Sequence, residues 1–242
     1  RSIDIHWTQE MFDQAGMVRE AVKWDYELRE AGQLEAVVDR AFNITNAEPQ
    51  GPVYLTLPRE VLATEISEFK YGPASQHANA TPPHPDLNAI DQLAEIVANA
   101  ENPVIVTTQS GRVPAAVEAL ADLAERFAIP VTQYRPRVMN LPTDHAMHMG
   151  YDPAPLISEA DVIIAVECEV PWIPRLKKPI SDCVVAQIAA DPLYSDAPHR
   201  GFRADFAITG IVDVSMRALL AALEARGAMA QDRVAARRSR IV

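Results

Sequence analysis

Gly111-Arg112 stands immediately ahead of an amphipathic run, where a guanidinium and the backbone N–H groups of a helix N-terminus could hold a nucleotide phosphate. The same residues also read as a plain helix start, with Pro114 at an early helical position. Arg135 and Arg137 flank Pro136 just past an expected strand end, the edge at which open α/β sheets take ligands; the other reading is a pair of surface cations. His145 and His148, with Asp144 beside them, are spaced to reach one metal ion, but no third ligand is specified. Cys168 and Cys183 lie in apolar stretches and read as core thiols, and Trp172 reads as a packing or interface residue. Glycine limits all of this. Nine glycines in 242 residues is about half the usual share of ~7%, and no two fall within three residues of each other. The chain therefore has no GxGxxG, no P-loop and no GDG, so any phosphate must be held by something other than a glycine-rich cradle.

The elements that must position these residues follow from periodicity. Leu34, Val37, Val38, Ala41 and Phe42 mark one apolar helix face, and Pro52 to Leu57 is a β-rich run closed by Pro58. Residues 67–85 hold four prolines and little apolar content, which predicts a linker. Beyond it, Ile90, Leu93, Ala94 and Val97 predict a helix, and Pro103 to Thr107 a buried strand. Val117, Leu120, Ala121, Ala124 and Phe127 predict the next helix. Strands are expected at Pro130 to Thr132, Asp161 to Val166, Cys183 to Ile188 and Asp205 to Thr209, and a last long helix carries Ile211, Val214, Ala218, Leu219 and Ala222. Continuous apolar strands separated by amphipathic helices predict an α/β fold: a Rossmann-like parallel sheet with helices on both faces. Residues 86–226 form this domain. Residues 1–66, with one helix and one strand, read as the closing third of a partial α/β domain, and an N-terminal Arg1 suggests a piece of a longer polypeptide.

Composition excludes several function classes. With 22 basic against 33 acidic residues the net charge is −11, and an acidic body does not suit a nucleic-acid groove. Only residues 227–242 are basic, with four arginines and one aspartate; this basic tail could touch an anion, and otherwise reads as a solvated helix or linker. The longest apolar runs, such as Val162 to Val166, are far too short to span a bilayer. No charged-then-apolar signal segment opens the chain, and two core thiols set no disulfide framework, so the expected compartment is the cytoplasm.

Taken in order, several stretches resemble thiamine diphosphate-dependent enzymes, especially the acetolactate synthase-like group. Gly51-Pro52-Val53-Tyr54-Leu55-Thr56-Leu57-Pro58-Arg59-Glu60-Val61 is similar to the segment that closes that family's pyrimidine-binding domain. Gln9-Glu10, Asp13 and Arg19 to Trp24 resemble its QE…D…RxxxK(W) stretch. Ala100 to Val106 and Ser158 to Ile164 resemble two strand approaches of its central domain. The resemblance implies residues 1–66 as the end of the pyrimidine-binding domain and 86–226 as the central domain. It implies that 227–242 leads to a diphosphate-binding domain.

The resemblance also implies a chemistry and its cofactors. The parent enzyme would act on a 2-keto acid by decarboxylation or carboligation, with thiamine diphosphate and Mg²⁺, as a homo-oligomer, dimer or tetramer. The glutamate that activates the cofactor would precede Arg1, and the GDG segment that holds Mg²⁺ would follow Val242, so no catalytic residue is expected here and the fragment alone is expected to be inactive. Gln9 matches a glutamine near the substrate side of the cofactor, Arg19 an arginine that reaches a flavin, and Lys23 a lysine at the mouth of the active-site channel. Gly111, Arg112 and Asp191 are the cofactor-binding candidates of the central domain. The sequence departs from the family pattern at the flavin site: Glu167 and Glu169 stand where glycine and arginine are usual, and paired aspartates are reduced to Ala189-Ala190-Asp191. Carboxylates facing a pyrophosphate are costly, which argues against FAD. The alternative function is a nucleotide-binding or structural interaction module on the same sheet.

Overall fold

The computed structural model describes residues 11–69, 71–72 and 78–241, with the side chains of 228–232 excepted. Gln9 lies outside the described residues. The chain separates into two compact units, residues 1–82 and 83–242.

In the first unit, β1 (Trp24–Glu27) runs parallel to β2 (Val53–Thr56), with Trp24 opposite Val53 and Glu27 opposite Thr56. Helix α1 (Leu34–Asn46) makes the crossover between them, and α2 (Arg59–Leu62) is a single turn begun after Pro58. β1 adds a strand to the one helix and one strand expected of residues 1–66: Trp24-Asp25-Tyr26-Glu27 alternates apolar with charged residues as a half-buried strand does, but over only four positions. The helix lies where periodicity put it, but its face is narrower, because Val37 and Ala41 are buried while Phe42 is exposed. Part of the expected linker belongs to this unit. The Tyr71 hydroxyl donates to Asp39 at 2.7 Å, and the Gly72 N–H to Glu35 at 2.5 Å.

The second unit is a five-stranded parallel sheet in the order β4-β3-β5-β6-β7: β3 (Pro103–Thr107), β4 (Val131–Gln133), β5 (Val162–Val166), β6 (Val184–Ala189) and β7 (Phe206–Thr209). All five residues of β3 and of β5 are buried, as a sheet covered on both faces requires. The pleat divides them. Ile105, Ile164, Val166 and Ile188 face a core built with α3 (Leu87–Asn99), α4 (Pro114–Phe127) and α6 (Val212–Glu224). Val104, Val106, Ile163 and Val185 face the other side, covered by Ile157 of α5 (Ala154–Ile157), Cys168, Trp172 and Cys183. That second cover is mostly loop, and Trp172 meets Phe202 edge-on at 5.3 Å.

The irregular stretch after β4 has a structural task. The Val131 N–H donates to the Met147 carbonyl, the Met149 N–H returns to Val131, and the Gln133 N–H reaches Gly150, so residues 147–150 shield the edge strand. Residues 228–241 form a helix, α7 (Ala228–Ile241), one of the two forms expected of the basic tail, but it docks against α3 and α4 instead of standing free in solvent.

Candidate functional site: the carboxyl edge of the central sheet

In this strand order the chain leaves β3 for β4 on one side, then crosses back to β5 on the other. The crevice for a ligand in an open α/β sheet lies above that switch point, at the carboxyl ends of β3 and β5. Four loops converge there, following β3, β4, β5 and β6.

The loop after β3 turns through a short 3₁₀ segment, Ser110–Arg112, into α4. Its Gly111 N–H, the group a phosphate would use, donates instead to Asn140 Oδ1 at 2.9 Å. Asn140 is fully buried, and its amide donates to the Thr108 and Val138 carbonyls at 3.1 Å and to Gln133 Oε1 at 3.2 Å. Thr107 donates to Ser110 at 2.8 Å, and Ser110 to Asn140 at 3.1 Å, completing a buried network in which each polar atom has a partner. Gly111 is glycine for a steric reason: a Cβ there would stand 1.9 Å from the Met139 carbonyl oxygen. Arg112 is exposed at the rim of the same turn.

Across the crevice, Glu167 adopts φ +43° and is buried. The sequence reading put its carboxylate toward a pyrophosphate. The structure turns it inward, where Oε1 accepts the Ala190 N–H at 3.0 Å and Oε2 lies 3.5 Å from the Gln109 amide. Glu169 points outward, 4.0 Å from the Arg137 guanidinium. Cys168, fully buried beside Glu167, accepts a hydrogen bond from Thr108 at 3.2 Å, and burial pushes its pKa up to about 11, so it is a thiol at neutral pH. Arg200 donates to Gln187 Oε1 at 2.7 Å and to the Glu169 carbonyl at 3.0 Å, and lies over the Tyr194 and Phe202 rings. Asp191 closes its own turn by accepting from the Leu193 N–H and from the Ser195 N–H and hydroxyl. Burial raises its pKa, but the Ser195 hydroxyl and the surrounding N–H donors outweigh that and hold it below the usual carboxylate value.

The crevice therefore brings Gly111, Arg137, Glu167 and Glu169 onto one edge, but its inward hydrogen-bonding groups are already used. An FAD pyrophosphate does not fit these residues: the N–H groups of Gly111 and Ala190 are capped from within, and Asn140 fills the turn. Neither does the Mg²⁺-diphosphate group. The sequence has no GDG, and among the described residues no three metal-ligating side chains come together. His145 and His148 turn their Nδ1 atoms to the Met147 and Gly150 N–H groups, and His145 Nε2 lies 3.5 Å from Glu125.

The first unit places its two described candidates in local structure. Arg19 is gripped by Asp13 and Asp25 at 2.9–3.2 Å, and both carboxylates are held below their usual range by that guanidinium. Lys23 donates from Nζ to the Ile44 and Ala47 carbonyls, both at 2.8 Å, capping the end of α1. Sequence reasoning missed Asn140 and the inward turn of Glu167. Neither carried a motif, and only the sum of four loops reveals them.

Comparison with known proteins bears on the same elements. Residues 90–219, more than half of the chain, match the family model described as thiamine pyrophosphate enzyme, central domain. A probable acetolactate synthase large subunit of Methanocaldococcus jannaschii is 28% identical over 227 residues, covering 87% of this chain and 37% of that protein. A probable 2-ketoarginine decarboxylase of Pseudomonas aeruginosa is 30% identical over 172 residues, covering 69% of this chain and 29% of its own length. Among solved structures, a Mycobacterium smegmatis protein described as a thiamin diphosphate-dependent enzyme superposes with a TM-score of 0.69 at 25% identity, over 87% of this chain and 41% of that one. Benzoylformate decarboxylase from Polynucleobacter necessarius shares the fold, with a TM-score of 0.65 at 22% identity, over 84% of this chain and 38% of that one. The chain thus spans about two fifths or less of these proteins. It belongs to the thiamine pyrophosphate enzymes, through their central domain.

Proposed function

We propose that these residues are the central part of a thiamine diphosphate-dependent enzyme acting on a 2-keto acid, by decarboxylation or carboligation. The observation that carries this reading is the match over 90–219, which begins in α3 and ends in α6 and so takes in the whole five-stranded sheet. The names of the similar proteins, an acetolactate synthase and a 2-ketoarginine decarboxylase, support the substrate class. In this reading residues 1–66 close a pyrimidine-binding domain, thiamine diphosphate and Mg²⁺ are held by parts of the enzyme outside these residues, and the assembly is a cytoplasmic homo-oligomer. The second unit then serves as a scaffold. Its crevice is occupied by Asn140 and Glu167, which speaks against the alternative of a nucleotide-binding module.

The test is the polypeptide that carries these residues, as its organism makes it, supplied with thiamine diphosphate, Mg²⁺ and a panel of 2-keto acids. The expected outcome is CO₂ release or a carbon–carbon product that stops when thiamine diphosphate is removed. A protein with no such turnover that retains stoichiometric adenine nucleotide would overturn the reading in favour of the module. The 242-residue chain alone is expected to show no thiamine diphosphate-dependent turnover and to purify colourless. A flavin absorbance band near stoichiometry would contradict the closed crevice.

A further inference from the structure

Helix α7 is attached in an unusual way. Among its described side chains only Arg237 is buried, at 4% exposure, while Val234 and Ile241 are half-buried and the rest face solvent. An amphipathic helix normally docks through a stripe of several buried apolar residues. Here a guanidinium takes that place. Arg237 donates to the Val97 carbonyl at 2.6 Å, to the Ala100 carbonyl at 2.6 and 3.3 Å, and to the Phe127 carbonyl at 3.1 Å. Phe127 is the last residue of α4 and Ala100 the C-cap of α3. One side chain thus supplies donors to the carboxyl ends of two helices, where carbonyls lack intrahelical partners and partial negative charge collects. Burial pushes the Arg237 pKa down to about 10, which leaves it cationic at neutral pH.

The other polar contacts of the described side chains lie at the rim. Arg233 pairs with Glu101 at 3.0 Å, Arg238 with Glu125 at 3.7 Å, and Arg240 donates to Asn102 at 2.6 Å. At the other end of the connection, Arg226 fixes α6 to Asp91 of α3 at 2.9 Å. Between that fixed point and α7 stands Gly227, with φ +54° and nothing within 4 Å of an added Cβ. It is a left-handed joint with free space around it. The last turn of α7 also walls a cavity of about 170 Å³, shared with Pro103, Val104, Pro130 and Leu156.

We propose that α7 is a charge-anchored strap that undocks as a unit about Gly227, opening this cavity while the sheet and α3, α4 and α6 stay folded. Two features separate this from ordinary fraying. The anchor lies near the far end of the helix from the joint, and among the described side chains only Val234 and Ile241 add partial apolar burial beside it.

Hydrogen exchange of the full 242-residue chain, read by mass spectrometry, tests it. Raising KCl from 0.05 to 1 M shortens the screening length to about 3 Å, so α7 amides should exchange about tenfold faster while β3 and β5 are unchanged. Arg237→Met keeps a long apolar stem but no donors, and should raise α7 exchange by about a hundredfold with the sheet still protected. Arg237→Lys, which restores a charge with fewer donors, should fall between. Equal protection of α7 in all three proteins and both salts overturns the proposal. So does loss of protection in α7 and β3 together, since α7 would then be a fixed part of the cooperative core; if Arg237→Met does not fold, Arg237→Lys against the unaltered chain decides, with faster α7 exchange expected and equal α7 protection overturning the proposal.

Discussion

Gly111 and Asn140 show how a residue type chosen for one purpose can serve another. A glycine ahead of a helix suggests room for a phosphate, yet here it makes room for the Met139 carbonyl and gives its N–H to Asn140. Gly111→Ala forces a Cβ into that carbonyl and should destabilise the chain by about 1–3 kcal/mol, the range for overpacking a filled site, measured by urea unfolding. An unchanged midpoint would mean the 138–140 loop yields freely. The thiols carry a prediction in pH. Burial raises both Cys168 and Cys183 to about 11, from an ordinary value of 9.0. The folded chain therefore holds these protons more tightly than the unfolded one. Their contribution to stability is complete below about pH 9 and is lost as pH rises toward 11. Thermal melts across that window should fall, and neither thiol should react with an alkylating reagent at pH 8 until urea is added.

At the scale of elements, the helices of the second unit begin and end for reasons visible in the chain. Asp86 caps α3, accepting the Asn88 and Ala89 N–H groups at 2.8 and 2.9 Å. Asp86→Ala should cost about 1 kcal/mol, checked by chemical denaturation, while Asp86→Asn should cost much less. α4 begins with Pro114 and stops at Ala128, whose φ of 49° lies in the left-handed region, so the chain turns directly toward β4. Edge protection is the counterpart for strands. β4 would expose an open row of backbone groups, and the 147–150 segment covers it.

The whole molecule divides unevenly. Residues 83–242 enclose two apolar clusters on the two faces of one sheet, whereas the described residues of 1–82 have a two-stranded sheet and a small buried set around Leu28, Val37 and Ala41. Met17, Phe42 and Leu62 of the first unit are exposed, an arrangement that favours association. Residues 83–242 expressed alone are expected to melt cooperatively as a monomer, and the full chain to self-associate through residues 1–66. Light scattering that finds the 242-residue chain monomeric, or failure of residues 83–242 to fold, would refute this division.

Periodicity alone determined most of the second unit. Strands such as Pro103 to Thr107 and Val162 to Val166 are apolar throughout because both faces of the sheet are covered, and that burial writes itself into consecutive residues. The order of short stretches from Gly51 to Ile164 likewise carried the family, since each reports a local turn or strand that the fold repeats. The sequence did not determine β1, whose pairing partner lies some thirty residues away and whose apolar–charged alternation runs for only four residues. Nor could it determine the fate of the crevice. Whether Gly111 meets a phosphate or Asn140, whether Glu167 turns outward or caps Ala190, and whether Arg237 is solvated or buried each depend on groups brought together from distant loops and helices. A polar side chain announces only that it needs a partner; the tertiary structure decides which partner it finds.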